Sequence, residues 1–273
     1  MIGTLRRYLA FLPVYAREAA TVGDFVRLLR VRLSQSKIGW LVCPSPIAVD
    51  VNLRSLGGVV RLRSHTTDIS VLGELIVGGS YESVADEAGS VSSIVDLGGN
   101  TGLAARWLLH RFPGAALVSV EPEDGNYALL KHNLAGRGRH LQACAGGTMR
   151  TVSLRDSGKA DGFQMVDDPA GTIRVLDMRT IISALGTDRV DLLKVDIEGA
   201  ERELFEECRS WIGMIRLLSV ECHGDFSSDD LIVALEGNGV GVEVVDRGGR
   251  DSSYDYETVL LRMLPRQPVA HGT

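Results

Sequence analysis

Cysteine is scarce in this 273-residue chain: four residues, Cys43, Cys144, Cys208 and Cys222, scattered with no C-x-x-C pair. That spacing excludes a zinc ribbon or a disulfide framework, and reduced, mostly buried thiols in a cytoplasmic protein are the expectation. No run of about 20 apolar residues exists, so no transmembrane helix is expected. The apolar Leu9–Leu12 stretch is cut short by Pro13 and Arg17, which leaves no adequate signal-peptide core. An excess of positive charge is also missing. The formal net charge is −6, so nucleic acid is not an expected partner. Internal repeats and low-complexity tracts are absent as well. What is present is 45% hydrophobic, enough for one large core or a core with a small appendage. The charge is uneven: Arg6, Arg7, Arg17, Arg27, Arg30, Arg32 and Lys37 face only Glu18 and Asp24 in the first 37 residues. This is either a solvated basic helix face or a contact with an anionic partner, a membrane surface or a neighbouring subunit.

Apolar periodicity gives the organisation. Val22, Phe25, Val26, Leu29 and Leu33 recur at helical spacing and predict an amphipathic helix over 22–34, after a short helix over 4–18 broken near Pro13. The Cys43–Pro46 stretch reads as a linker, and 47–64, alternating around Gly57-Gly58, reads as a β-hairpin. A helix over 69–77 ends at Gly78-Gly79. From residue 92 the pattern alternates regularly. Strands are expected at 93–97, 116–121, 140–145, 191–196 and 216–222, with helices at 102–111, 124–134, 178–186, 199–209 and 228–238. Such alternation implies an α/β fold, a mostly parallel sheet with helices on both faces. Strands at 242–245 and 258–263 would complete seven. The segment 146–175 breaks the rhythm as a hairpin or loop insertion, and a disordered tail is expected after Pro265. The domain reading is therefore a helical appendage at 1–45, one domain at 46–265 and a tail at 266–273.

Chemistry concentrates at the strand ends. Ile94-Val-Asp96-Leu-Gly98-Gly99-Asn100-Thr-Gly102 is a strand, an acid and a glycine turn, and Glu121 ends the next strand. This is the layout of a nucleoside-binding βαβ unit, in which the glycines let backbone approach ligand and the second acid binds ribose hydroxyls. A dinucleotide G-x-G-x-x-G would need glycine where Asn100 and Leu103 stand, which disfavours an NAD-dependent oxidoreductase. The form D-x-G-x-N-x-G instead resembles motif I of class I S-adenosylmethionine (SAM) methyltransferases. Asp96 then orients the SAM ammonium and Glu121 the ribose, while Asn126 lies near the adenine edge or caps the following helix. Lys194-Val-Asp196-Ile-Glu198-Gly199-Ala-Glu201 ends another strand, so Asp196 faces the crevice. Glu198 serves either function or the helix N-terminus, and Glu201 is expected to do the latter. In Glu221-Cys-His223 the two polar side chains share a strand face. With Asp196 and Lys194 they form the candidate catalytic group, His223 as general base and Glu221 orienting it. A hydrogen-bonded structural pair is the alternative. A divalent metal on Asp196, Glu221 and His223 is chemically allowed, but no metal-specific spacing supports it and a metal-free site is expected. Ahead of the cofactor unit, Thr67-Asp68 reads either as a helix N-cap or, with Tyr81, as part of a cover over the SAM pocket.

Taken together these segments resemble the FkbM family of SAM-dependent methyltransferases. The family's R-x-x-T-S-D and G-x-x-Y pre-motif stands as Arg63 to Asp68, with Thr67 in place of serine, and Gly78 to Tyr81. Its motif I stands at Val95 to Gly102, its second acidic motif at Glu121 to Tyr127, K-x-D-x-E-G-x-E at Lys194 to Glu201, and E-x-H at Glu221 to His223. The resemblance spans roughly residues 59–225, with 146–175 matching poorly. It implies a class I Rossmann-like fold and methyl transfer from SAM to a hydroxyl on a polyketide, peptide or sugar-containing small molecule. Asp68, Tyr81, Asp96, Gly98, Asn100, Gly102, Glu121 and Asn126 would hold the cofactor. Asp196 would hold the acceptor hydroxyl beside Lys194, Glu221 and His223. A SAM-binding protein without catalysis would not need those last residues. A homodimer built on the N-terminal helices is compatible with this reading.

Overall fold

The computed structural model describes residues 11–36, 39–156, 163–168, 170–248 and 256–264. Helices α1 (Leu12–Glu18), α2 (Val22–Ser34) and the single turn α3 (Gly39–Val42) lead into an antiparallel hairpin, β1 (Ala48–Leu53) and β2 (Gly58–Arg63). Of the helix expected over 4–18 and broken near Pro13, the described residues hold the part after the break. Pro13 stands in the first turn of α1, where its missing N–H costs nothing, and residues 4–10 lie outside the described residues. Helix α2 is started by Thr21, whose hydroxyl accepts from the Asp24 N–H at 3.1 Å. Next come α4 (Asp68–Gly73), which widens into a π-helical turn over Glu74–Gly78, and α5 (Glu82–Ala88).

Strand and helix then alternate: β3 (Ser93–Leu97), α6 (Leu103–Arg111), β4 (Ala116–Val120), α7 (Asp124–Leu134) and β5 (Arg139–Leu141). The expected strand over 140–145 is in fact two. β5 stays in the main sheet, and β6 (Cys144–Ala145) leaves it to join β7 (Arg150–Asp156), β8 (Phe163–Asp167) and β9 (Ile173–Leu176) in a separate four-stranded sheet ordered β6-β9-β7-β8. The insertion at 146–175 is thus mostly sheet built on the β7–β8 hairpin. The chain returns through α8 (Met178–Ser183), β10 (Val190–Val195), α9 (Glu201–Glu206), β11 (Ile215–His223), α10 (Ser228–Gly237), β12 (Val242–Gly248) and β13 (Tyr256–Met263).

The main sheet has seven strands in the order β12-β13-β11-β10-β3-β4-β5. The five from β11 to β5 are parallel, and β13 runs antiparallel between β11 and β12. Strand order reverses between β3 and β10, so the crevice of this α/β sheet opens above Leu97 and Val195.

Each face of the sheet buries its own apolar cluster. Val95, Val118, Leu193 and Leu218 face α8–α10. Ile94, Leu117, Leu192 and Leu217 face the other way, in one cluster with Tyr15, Leu28, Val31, Leu53 and Leu62. Tyr15, Leu28 and Val31 are essentially inaccessible, and each such side chain contributes roughly 1.5–3 kcal/mol of burial. The buried core therefore runs without a gap across residue 45. Fully buried Asn133 ties the hairpin to the glycine turn: its Oδ1 accepts from the Arg61 N–H at 2.7 Å, and its Nδ2 donates to the Thr101 carbonyl at 2.8 Å.

Candidate active site

Register across the sheet builds the site. Lys194 lies beside Asp96 on one side and Ser219 on the other, Asp96 beside Ser119, and Ser119 beside His140. Paired residues share a face, as do residues two apart, so Asp196, Glu221 and His223 point the same way as Lys194 and Asp96. Four parallel strands thus bring their polar ends to one edge of one face.

The glycine turn leaves β3 where the chains are closest. Gly98 has φ +73°, and a Cβ there would lie 1.7 Å from the Asp196 carbonyl oxygen, so no side chain fits. Asn100 is left-handed at φ +46°, which asparagine tolerates, and its N–H donates to Glu121 Oε2 at 2.8 Å. The other Glu121 oxygen accepts from the Glu123 N–H at 2.9 Å. Two backbone donors therefore aim this carboxylate. Burial raises it to about 7 in spite of them. Gly102 takes the left-handed position that starts α6. Gly98, Asn100, Glu121, Asn126 and Asp196 line one pocket, together with Leu154 and Met165 from the four-stranded insert.

These residues fit SAM. Asp96 is fully buried. Its Oδ2 accepts from Ser119 at 2.6 Å, while its Oδ1 lies 3.2 Å from Lys194 Nζ without the geometry of a hydrogen bond, which leaves an acceptor for a cationic donor such as an ammonium. Glu121 keeps lone pairs for a vicinal diol, because each carboxylate oxygen accepts more than one bond.

Several expected contacts are rearranged. Asp68 does not cap α4, and Thr67 makes no side-chain cap. The Asp68 carboxylate takes three bonds from Arg63, at 2.8, 3.1 and 2.8 Å. Arg63 also donates to Asn126 Oδ1 at 2.9 Å, so Asp68 reaches the pocket through Arg63. Asn126 is not the cap of α7. Glu123 is, accepting from the Asn126 N–H at 2.6 Å. Tyr81 is buried against Trp107, and burial holds its phenol well above 10 despite the charge of Lys194.

The catalytic candidates do converge. Lys194 lies 3.2 Å from Asp96 and 3.4 Å from Asp196, and donates to the Gly98 carbonyl at 2.7 Å. Burial would lower its pKa, but the two carboxylates hold it well above the usual value. Glu221 does not orient His223 by a hydrogen bond. Glu201 does, at 2.8 Å from Nδ1. Fully buried Glu201 also accepts from the Ile197 and Gly199 N–H groups at 3.2 and 2.9 Å, so it opens α9 as expected and holds the imidazole besides. Because a carboxylate only accepts, Nδ1 carries the proton and Nε2 faces Asp196 and Glu198, each at 3.8 Å. Burial would push His223 down, yet the Glu201 bond and the charges of Asp196, Glu201 and Glu198 carry it up to about 9. Burial and Asp196 push Glu221 up to about 8, against the pull of Lys194 and His223. The role of Glu201 at His223 escaped the sequence reading because that partner lies on the neighbouring strand, and Leu154 and Met165 escaped it because the insert follows no motif.

A glycine turn at the reversal of strand order, a buried acid one strand away and an acid-and-imidazole cluster on the other side fit a Rossmann-like methyltransferase. More narrowly, the chain belongs to the FkbM methyltransferase family, whose model, described as "Methyltransferase FkbM domain", matches residues 96–239. Its cofactor is SAM. "Methyltransferase 1" of Beauveria bassiana (strain ARSEF 2860) is 25% identical over 188 residues, 57% of this chain and 75% of that protein. Among solved structures, a TehB-like SAM-dependent methyltransferase from Corynebacterium glutamicum has 11% identity and a TM-score of 0.41, over 71% of this chain and 94% of that one. A ribosomal protein methylase from Lactobacillus delbrueckii subsp. bulgaricus has 10% identity and a TM-score of 0.39, over 67% and 75%. Likenesses this loose carry no argument of their own. Among the described residues no helix is long and apolar enough to cross a membrane.

Proposed function

We propose that this methyltransferase acts on a hydroxyl of a small molecule, of polyketide, peptide or sugar character, seated between the strand-end cluster and the four-stranded insert. One observation carries the reading: Asp196, Glu221 and His223 meet on the face of the sheet that holds Asp96, directly beside the Gly98 turn. A hydroxyl oxygen must shed its proton as it takes the methyl, whereas a neutral amine need not. An acid-and-imidazole cluster next to the cofactor suits the first task once it has released its own proton, which for His223 means a pH near 9. SAM supplies an activated methyl on a sulfonium, already a good leaving group. The chain's share is alignment and proton removal. Asp196 holds the acceptor hydroxyl, and the Asp196–Glu221–His223 group takes its proton. Lys194 braces Asp96 and Asp196 in place, and Leu154 and Met165 wall the pocket from the insert side. Cation-bearing SAM is itself favoured next to these carboxylates.

The test is a screen of hydroxylated metabolites with SAM labelled in the methyl carbon, with products read by carbon NMR. Label in an O–CH₃ group supports the reading. Label on nitrogen or carbon overturns it. Tight SAM binding with no turnover on any acceptor would favour a SAM-binding protein without catalysis.

A further inference from the structure

Asp196, Glu221 and His223 each present one donor atom, and the three lie within 4.8 Å of one another. Two features separate them from an ordinary acidic surface. The first is depth: the His223 side chain is 13% exposed and that of Asp196 26%. The second is how each is held. Glu201 grips His223 through Nδ1, which aims Nε2 into the cluster, and carboxylate-backed imidazoles of this kind are the usual form of a metal-binding histidine. Lys194 steadies Asp196 through one oxygen, Oδ2, while Oδ1 is the oxygen facing His223. Glu221 accepts no hydrogen bond among the described residues, although it sits beside Asp196 at the sheet end. Glu221 is half-buried, and two carboxyl groups this close repel one another unless a cation lies between them.

We propose that Asp196, Glu221 and His223 bind a divalent cation through one oxygen of each carboxylate and Nε2 of the imidazole. Two oxygens and one nitrogen suit Mn²⁺, Mg²⁺ or Fe²⁺ better than a thiolate-loving ion. Bonds of about 2.1 Å place donors about 3.0 Å apart at right angles and about 4.2 Å apart across the ion, so donors now within 4.8 Å close by up to about 2 Å. Three protein ligands leave positions open. With the ion in place the three side chains serve as its ligands in place of the base, and an acceptor hydroxyl bound there loses its proton to water more readily, because the ion stabilises the oxygen anion. That oxygen's electron pair then forms the bond to the methyl carbon, and the carbon–sulfur pair returns to sulfur. What the ion does rests on the hydroxyl-transfer reading above. Whether it binds does not.

Full-length protein stripped with chelator and dialysed is titrated with Mn²⁺, with free Mn²⁺ read by electron paramagnetic resonance. SAM affinity is measured on the same sample by calorimetry. One Mn²⁺ per chain with Kd below about 0.1 mM is expected. Glu221→Gln should raise that Kd at least tenfold with its circular dichroism unchanged. If that variant does not fold, Asp196→Asn at the more exposed ligand serves the same comparison. Asp50→Asn, in the surface pair with Arg61, should bind as the parent does. No binding up to millimolar Mn²⁺, or unchanged binding in Glu221→Gln and Asp196→Asn, overturns the site. Stripped protein that methylates a hydroxyl at the full rate removes the ion from the reaction and leaves the acceptor reading intact. Mn²⁺ binding lost in the variants, in a protein that methylates only nitrogen or carbon, keeps the cation site and overturns the acceptor reading.

Discussion

Replacing Glu121 by glutamine gives the sharpest test of the cofactor site. The carboxylate is 5% exposed and is aimed by two backbone donors, the Asn100 N–H at 2.8 Å and the Glu123 N–H at 2.9 Å. Glutamine keeps the shape but turns one acceptor oxygen into an NH₂ donor, which must face one of those two N–H groups. The substitution therefore removes the charge offered to the ribose diol and leaves one loop donor unpaired. A charge-assisted hydrogen bond is worth about 1.5–3 kcal/mol, so SAM affinity should fall roughly ten- to hundredfold. A pH signature accompanies it. In the free protein the group titrates near 7 instead of 4.5. Between those values the folded chain keeps a proton that the unfolded chain has released, so this group's contribution to stability declines as pH rises through the window. Diol donors favour the carboxylate form, so SAM binding expels that proton and parent affinity weakens as pH drops below about 7. The variant should lose this dependence. Calorimetry at pH 8 and at pH 6, in two buffers of different ionisation enthalpy, reads both effects. Equal SAM affinity in parent and variant at pH 8, with the variant folded, would refute the ribose assignment.

Gly98→Ala should abolish measurable SAM binding and lower the melting temperature, because its Cβ meets the Asp196 carbonyl at 1.7 Å and its φ is +73°; a normal melt with normal binding would contradict the packing. Lys194→Met strands buried Asp96 and should cost about 3–5 kcal/mol in urea unfolding. Adding Asp96→Asn should recover part of that loss, and strictly additive losses would show that the pair is not coupled. Deleting residues 1–40 removes Tyr15, Leu28 and Val31 from the core that holds Ile94 and Leu192, so an unfolded or aggregated product is expected. A truncated chain that melts cooperatively and binds SAM would restore a separate N-terminal appendage. Arg150→Ala breaks the paired 2.7 Å bonds to Glu203 that tie the insert to the helix bearing Glu201. It should raise the acceptor KM more than it lowers kcat, and an unchanged KM would mean that the insert does not position the acceptor.

Much of this protein was legible from its chain alone, because the signals are local. An apolar run ending in an acid and followed by glycine identifies a strand end wherever it occurs. Asp96, Glu121, Asp196 and Glu221 could thus be placed on the carboxyl edge of a parallel sheet without knowing the order of its strands. Parity along one strand put Glu221 and His223 on a common face. Partner choice was not local. Glu201 lies 22 residues from His223 in the chain, and β11 packing beside β10 and the start of α9 brings it to 2.8 Å. Asn126 reads equally well as a helix cap. It binds Arg63, 63 residues away, because the hairpin lies against α7. The N-terminal helices read as an appendage because their amphipathic pattern says only that one face is buried, not against what, and only tertiary packing buries Tyr15 and Leu28 in the sheet's own core. At 144–145 a continuous apolar pattern hid a change of sheet, since pairing of Cys144 with Val175 is a choice between distant strands. Sequence settles what each residue can do and which way it faces. The fold alone decides which two of them meet, because that depends on strand order and register, to which residues far apart in the chain contribute together.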